Sequence, residues 1–264
     1  MSALPAAFDS APLPRMLWKQ TQAQVVNSAR IPAFSLTTIL LPIMFFAFFG
    51  LSHTHETLAG SHVSIGAYLM GSFGAYAVSS AMVFNFGIGV AVARAQKLDL
   101  LQRATPLPAS VAIAATVINA LLFALVSLLA LFAFAILAGG VHLPLATWVD
   151  LTFRLLLGAL PLIGMGMAIG YAAGPNSAPA VTNLIYLPMS FASGLFVPIT
   201  ELPQVVRDIA PYLPTYHYGQ IAWNAIGAPT ESMEEAVVAL ALWTVILFGL
   251  AIRFFRLDQT RKFA

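Results

Sequence analysis

The chain has 264 residues, 59% hydrophobic and 8% charged, where soluble domains run about 45–50% apolar and about 25% charged. Twelve Lys and Arg with ten Asp and Glu are too few to wet a soluble globule of this length, so the composition poses a question of membrane spans. The absence of cysteine excludes disulfides, thiolate metal sites and cysteine nucleophiles.

In chain order, residues 1–32 read as a cytoplasmic interfacial segment. The first 30 residues hold no apolar core of a cleavable signal peptide. Leu13, Leu17, Trp18, Val25 and Val26 lie among Arg15, Lys19 and several glutamines, the pattern of a helix lying in the membrane interface. A solvated linker is the plain alternative.

A helix crosses a bilayer core of ~30 Å in about 20 residues. Arg30 to Glu56 encloses 25 uncharged residues, Glu56 to Arg94 encloses 37, and Arg103 to Asp150 encloses 46. Arg154 to Glu201 encloses another 46, divided by a Gly-Pro-Asn-Ser-Ala-Pro break at 174–179, and Glu235 to Arg253 encloses 17. These runs predict an all-α integral membrane protein with six transmembrane helices near 33–51, 66–92, 109–138, 152–172, 180–199 and 236–255. The whole of 1–264 is then one transmembrane domain.

On this scheme Arg15, Lys19, Arg30, Arg94, Lys97, Arg103, Arg253, Arg256, Arg261 and Lys262 share the side of the termini, and only Arg154 and Arg207 lie opposite. Ten basic residues against two place both termini in the cytoplasm. The span interiors hold no charge, since Arg154 sits one turn past Asp150 near the outer interface. That speaks against a proton- or sodium-coupled carrier and against an intramembrane enzyme built on carboxylates or metal. No Gly-Lys dipeptide exists, so no P-loop can hold a nucleotide. His53, His55 and His62 share the first external loop with Glu56; solvated histidines are the simpler reading than a metal site. Gly158, Gly164, Gly166, Gly170 and Gly174 pattern the fourth span for close helix packing, inside the chain or between subunits. Asn85, Asn119, Thr182, Asn183, Ser190 and Ser193 are the polar residues singled out within spans, as helix-to-helix bonds or path-lining groups.

Two segments are more specific. The cytoplasmic loop 93–108 carries Arg94, Lys97, Leu98, Leu101 and Arg103 at near-helical spacing, ended by Pro106 and Pro108. It predicts a short amphipathic helix on the inner surface, anchored to head groups or offered to a partner. The external segment 200–235 carries Leu202, Val205, Val206 and Ile209 at i, i+3, i+4 and i+7 after Pro203, which predicts a short one-faced helix. Tyr212, Tyr216, Tyr218 and Trp223 follow, expected as an aromatic belt at the outer interface.

These two segments resemble type-2 ABC transporter permeases. Ser193, Gly194 and Pro198, then Leu202 and Pro203, then Pro214, Thr215 and Tyr216 match the external motif before the last span. Leu101, Thr105 and Pro106 match the cytosolic coupling helix. Ala93 and Ala95 depart from the acidic residues many members place beside Arg94; Asp99 is the acid of this loop. The resemblance implies a half-transporter in a bacterial inner membrane, with two six-span permeases, identical or paralogous, paired with two cytosolic ATP-binding subunits. ATP and magnesium then belong to the partner; this chain binds no cofactor, metal or nucleic acid of its own and is not by itself an enzyme. Arg94, Lys97, Asp99, Leu101, Arg103, Thr105 and Pro106 are implied as the coupling set. The external segment is implied to form re-entrant helices. The path is implied between two permeases, bordered by Phe84, Asn85, Asn183, Ser190 and Phe191, with outward transport of a hydrophobic or amphipathic molecule such as a drug, antibiotic, lipid or lipid-linked compound. Polysaccharide or glycolipid export and a non-transporting assembly role are the alternatives.

Overall fold

A computed structural model describes residues 12–30, 32–54, 56–58, 62–97 and 107–262. Helices dominate, and the β structure among the described residues is one isolated bridge, Thr57 to Ser64. Helix α1 (Leu13–Ala29) forms where the amphipathic pattern predicts it. The next helix, α2 (Pro32–Phe45), runs on through a π-turn at Phe46–Gly50 and a 3-10 turn at Leu51–His53. The longest, α3 (Ile65–Ala95), opens on Ser64, whose hydroxyl accepts from the Ala67 amide at 3.1 Å. Helix α4 (Ala109–Leu137) follows Pro108. Helices α5 (Leu145–Leu157) and α6 (Leu160–Ala172) are two halves of one kinked rod. Pro161 lacks the amide that would bond Leu157, so the ladder lapses at Gly158–Ala159. Helix α7 (Ala178–Ala192), the short α8 (Gln204–Ile209) and α9 (Pro214–Ala225) precede α10 (Met233–Lys262). A reciprocal capping box starts α10: the Glu235 amide donates to the Ser232 hydroxyl and the Ser232 amide to the Glu235 carboxylate.

Four rods are long and apolar enough to cross a membrane: Ile65–Ala95, Ser110–Leu137, Leu145–Ala172 and Met233–Thr260. Thr38–His53 is a shorter apolar helix, and α7 has 15 residues. The fourth predicted span starts at Leu145 rather than 152. Counting from the charge cut it short, because Arg154 and Asp150 form an i, i+4 ion pair inside the helix at 2.8 Å. The fifth stops at Ala192 rather than 199, where Gly194 takes a φ of +81° that an L side chain resists.

Helix α3 is the centre of the fold. From Gly66 to Val83 it is buried on every side, wrapped by α2, α4, α6, α7 and α9. Glycines on α6 face two ways. A methyl at Gly166 would lie 2.8 Å from the Val83 carbonyl, and one at Gly170 would lie 2.7 Å from Val90 Cβ, both on α3. One at Gly164 would lie 3.1 Å from the Phe248 amide nitrogen on α10. The G-x-x-x-G pattern therefore serves internal packing, and α3, α6 and α10 form a slab in near-backbone contact.

Helix α2 shows how an apolar bundle handles a lost hydrogen bond. Pro42 is buried within it and has no amide for the Thr38 carbonyl. The Ser127 hydroxyl of α4 donates to that carbonyl at 2.8 Å, re-satisfying the freed group from a neighbouring helix. Replacing Ser127 with alanine should therefore cost about 0.5–1.5 kcal/mol, read as a lower unfolding midpoint in detergent. The same substitution at exposed Ser110 should cost none of this.

The aromatic belt is not where the sequence suggests. Tyr212 is 75% exposed, but Tyr218 and Trp223 are fully buried and Tyr216 nearly so. Helix α9 folds back into the bundle, and residues Pro214–Trp223 are all buried. Tyrosine and tryptophan suit either setting, provided the polar tip finds a partner. Here the Tyr218 hydroxyl donates to the Leu155 carbonyl at 2.7 Å and the Trp223 indole to Ser72 at 2.8 Å. The Leu155 carbonyl lies just before the α5–α6 kink, so α9 occupies the crook that the kink opens.

Candidate functional site

The C-terminal ends of α3, α6 and α10 meet at the end of the bundle where Lys97 turns the chain out of α3. Arg94, in the last turn of α3, donates to the Gly170 carbonyl at 2.7 Å and the Ala173 carbonyl at 3.2 Å. Its other terminal nitrogen bonds Asp258 of α10. The guanidinium also lies over the Tyr171 ring, 5.8 Å from its centroid, and that ring meets Phe255 edge-on at 5.3 Å. A cation at the carbonyl end of α6 is favoured by the helix dipole as well. Lys97 is exposed and holds a φ of +52°, turning the chain out of α3. Asp99, Leu101, Arg103, Thr105 and Pro106, with Leu98, lie outside the described residues. Of the implied coupling set, Arg94 faces into the bundle and Lys97 faces out.

On the flank of α3 and α7, rings join into a continuous aromatic seam. Phe45, Phe73, Tyr76 and Phe196 cluster with centroids 4.9–6.0 Å apart. Tyr76 stacks on Tyr186 at 5.6 Å, and Phe84 meets Tyr186 edge-on at 5.9 Å. Phe191 stacks on Phe196 at 3.9 Å and is 42% exposed, so the seam surfaces there. Beside it α7 exposes Asn183, Leu184, Ile185 and Pro188. Phe84 and Asn85 are half-buried on α3. Ser190 is the exception among the predicted path residues. It is fully buried, in the Thr182–Tyr186–Ser190 stripe of α7, and donates to the Tyr186 carbonyl at 2.8 Å.

The motif between Ser193 and Tyr216 is tied down by hydroxyls. Ser193 is fully buried and bonds both Thr215 and, at 2.7 Å, the Met189 carbonyl. That joins the end of α7 to the start of α9. Pro198 precedes a 3-10 turn at Ile199–Glu201, Leu202 ends it, and Pro203 caps α8, the helix predicted from Leu202, Val205, Val206 and Ile209. Pro214 opens α9, and the Tyr216 hydroxyl meets Thr230 at 3.3 Å. His217 uses both ring nitrogens: one meets the two Glu231 oxygens at 3.0 and 3.1 Å, the other the Pro211 carbonyl at 2.8 Å. All these partners are acceptors, so the set is complete only when the ring carries both protons. Arg154 bridges Asp150 and Asn224 of α9 at 2.7 Å, an arginine clasp at the far end of the slab from Arg94. Among the described residues no three potential metal-binding side chains come together.

The seam's buried members, Phe73, Tyr76, Tyr186 and Phe196, were not singled out from sequence, nor was Ser79, whose hydroxyl meets Tyr186 at 2.5 Å. A tyrosine in a span requires such a partner, and that requirement was the signal available.

The ABC-2 type transporter family model aligns with residues 16–226. The chain belongs to the ABC-2 type transporter family. It is similar to YvfS of Bacillus subtilis (strain 168), named as a transport permease, with 25% identity over 244 residues, covering 92% of this chain and 98% of that one. The ABC-2 chain is thus a membrane-integral permease subunit of an ABC transporter, and its family implies an ATP-binding partner subunit.

Proposed function

We propose that this permease exports a hydrophobic or amphipathic molecule from a bacterial cytoplasm across the plasma membrane, driven by ATP and magnesium held on two cytosolic partner subunits. Two copies, or one with a paralogue, pair so that the flanks of α3 and α7 face the path. In this reading each copy spans six times, with both termini inside. The helical run Pro32–His53, about 33 Å long at 1.5 Å per residue, is the first span. Helix α7 is the fifth, completed by the turns after it, and α8 and α9 lie in the outer half as re-entrant pieces. The 98–106 loop, with Lys97 at its base, rests on the ATPase.

The aromatic seam carries this reading. It surfaces at Phe191 and runs back through Phe196, Tyr76 and Tyr186 to Phe84, offering stacking faces and no charge, which suits an apolar body with few polar groups. The test is ATP hydrolysis by the reconstituted complex against phospholipids, lipophilic dyes and oligosaccharides. Stimulation by the first two is expected, with the half-maximal concentration raised several-fold by Phe191→Ala. Stimulation by oligosaccharides alone would transfer the assignment to glycan export.

A further inference from the structure

We infer that Arg94 is an internal strut that carries motion of the coupling loop into α6 and α10, rather than a contact of the permease with its ATPase. This rests on the ATP-driven reading above and adds the route by which the stroke spreads.

The side chain is already committed. One terminal nitrogen serves two carbonyls at the end of α6, the other serves Asp258, and the guanidinium plane lies over Tyr171. Arg94 is 23% exposed and Asp258 11%, so a docking protein would reach the guanidinium only by pulling it out of these bonds. Removing it would take a charged partner from a mostly buried carboxylate and from the open end of α6.

The position in the chain supplies the rest. Lys97, three residues on, turns the backbone out of α3 into the loop. A displacement of that loop arrives at the last turn of α3, and Arg94 is the side chain there that bonds α6 and α10 together. Just behind it Gly166 and Gly170 keep α6 against α3, and Gly164 keeps α6 against α10. Packing resists compression, but pulling apart is resisted by directional bonds, and Arg94 supplies three of them at this end. At the opposite end Arg154 joins α5 to α9 in the same manner. Arg94 is thus a positioning residue for transport, acting through Asp258 and the α6 carbonyls.

The chain has no cysteine, so single spin labels can be placed at exposed Ala95 on α3 and exposed Arg256 on α10, each read as a copy-to-copy distance in the assembled complex. In the otherwise native complex, trapping with ATP and vanadate should shift both distances. In Arg94→Gln and in Asp258→Asn, the Ala95 label should still shift while the Arg256 label moves less than half as far. The double variant should be no worse than either single one, and the ATPase subunit should co-purify in full amount. Equal shifts of both labels in both variants would overturn the strut. Loss of the ATPase from Arg94→Gln with its retention in Asp258→Asn would also overturn it, returning Arg94 to the interface. If neither label shifts in the native complex, the ATP-driven reading fails instead. Should Arg94→Gln not fold, Asp258→Asn alone decides.

Discussion

Replacing Trp223 with alanine should lower the stability of the permease by about 3–5 kcal/mol, the range for removing a large aromatic from a packed core. The side chain is fully buried in α9. It stacks on Tyr68 of α3 at 5.1 Å with planes 12° apart, and its indole donates to Ser72 at 2.8 Å. The Tyr216 ring meets it edge-on at 6.3 Å. Alanine would remove the ring from between α3 and α9 and leave Ser72, fully buried, without this donor. Trp223→Phe separates the two losses. It keeps most of the area and gives up the hydrogen bond, so about 0.5–1.5 kcal/mol is expected. Ser72→Ala should cost a similar amount, and the double variant should cost little more than either, because both remove one bond. Unfolding midpoints in detergent read all four proteins. A Trp223→Ala midpoint equal to that of the parent would mean that α9 does not sit in the bundle as described.

Trp223 also marks where sequence reasoning stopped. The long rods were legible because an uncharged run of span length has few alternatives in a chain this apolar, and α3, α4, α5–α6 and α10 follow those runs closely. Helix ends were less legible. The fourth span was drawn from 152, just past Asp150, yet the helix reaches back to Leu145 and carries both members of the Asp150–Arg154 pair. Helix α10 likewise continues past Arg253 and Arg256 to Lys262. The burial of α9 was hidden for a different reason. Its tyrosines and tryptophan have an apolar body and a polar tip, a combination that fits an interface and a hydrogen-bonded core equally. Only the partners distinguish the two, and Ser72 and Leu155 are remote in sequence.

The same distance hid the candidate site. Arg94 was assigned to coupling from its place at the end of a long span, but its commitment to Asp258 spans 164 positions and its bonds to α6 use backbone carbonyls, which carry no sequence signal. Phe84, Asn183 and Phe191 were picked out by side-chain type along the expected second and fifth spans; Phe84 joins the seam at Tyr186 and Phe191 at Phe196, while Asn183 is exposed on α7. Ser190 was picked on the same grounds and lies buried in the Thr182–Tyr186–Ser190 stripe, its hydroxyl bonded to its own helix. The polarity of the spans was readable from sequence; the facing of each side chain required the packing.

Gly166 and Gly170 lead to the second large effect, because no side chain can yield to make room. A methyl at 166 would lie 2.8 Å from the Val83 carbonyl and 2.9 Å from Phe86 Cβ, and one at 170 would lie 2.8 Å from the Phe86 carbonyl. These are backbone or first side-chain atoms of α3, so the helices must separate. Overpacking of this kind costs about 1–3 kcal/mol per site, and Gly166→Leu should cost more than Gly166→Ala. Gly249→Ala is the matched control on α10. Nothing lies within 4 Å of a methyl there, and alanine adds up to about 1 kcal/mol of helix propensity, so its midpoint should hold or rise. The separation forced at Gly170 has a second consequence. It moves the carbonyl that Arg94 holds at 2.7 Å, so Gly170→Ala should weaken transmission to α10 as Asp258→Asn does, whereas Gly164→Ala should disturb α6 against α10 without touching Arg94. If Gly166→Ala and Gly170→Ala unfold at the same temperature as Gly249→Ala, the near-backbone contact between α3 and α6 is not what holds the slab together.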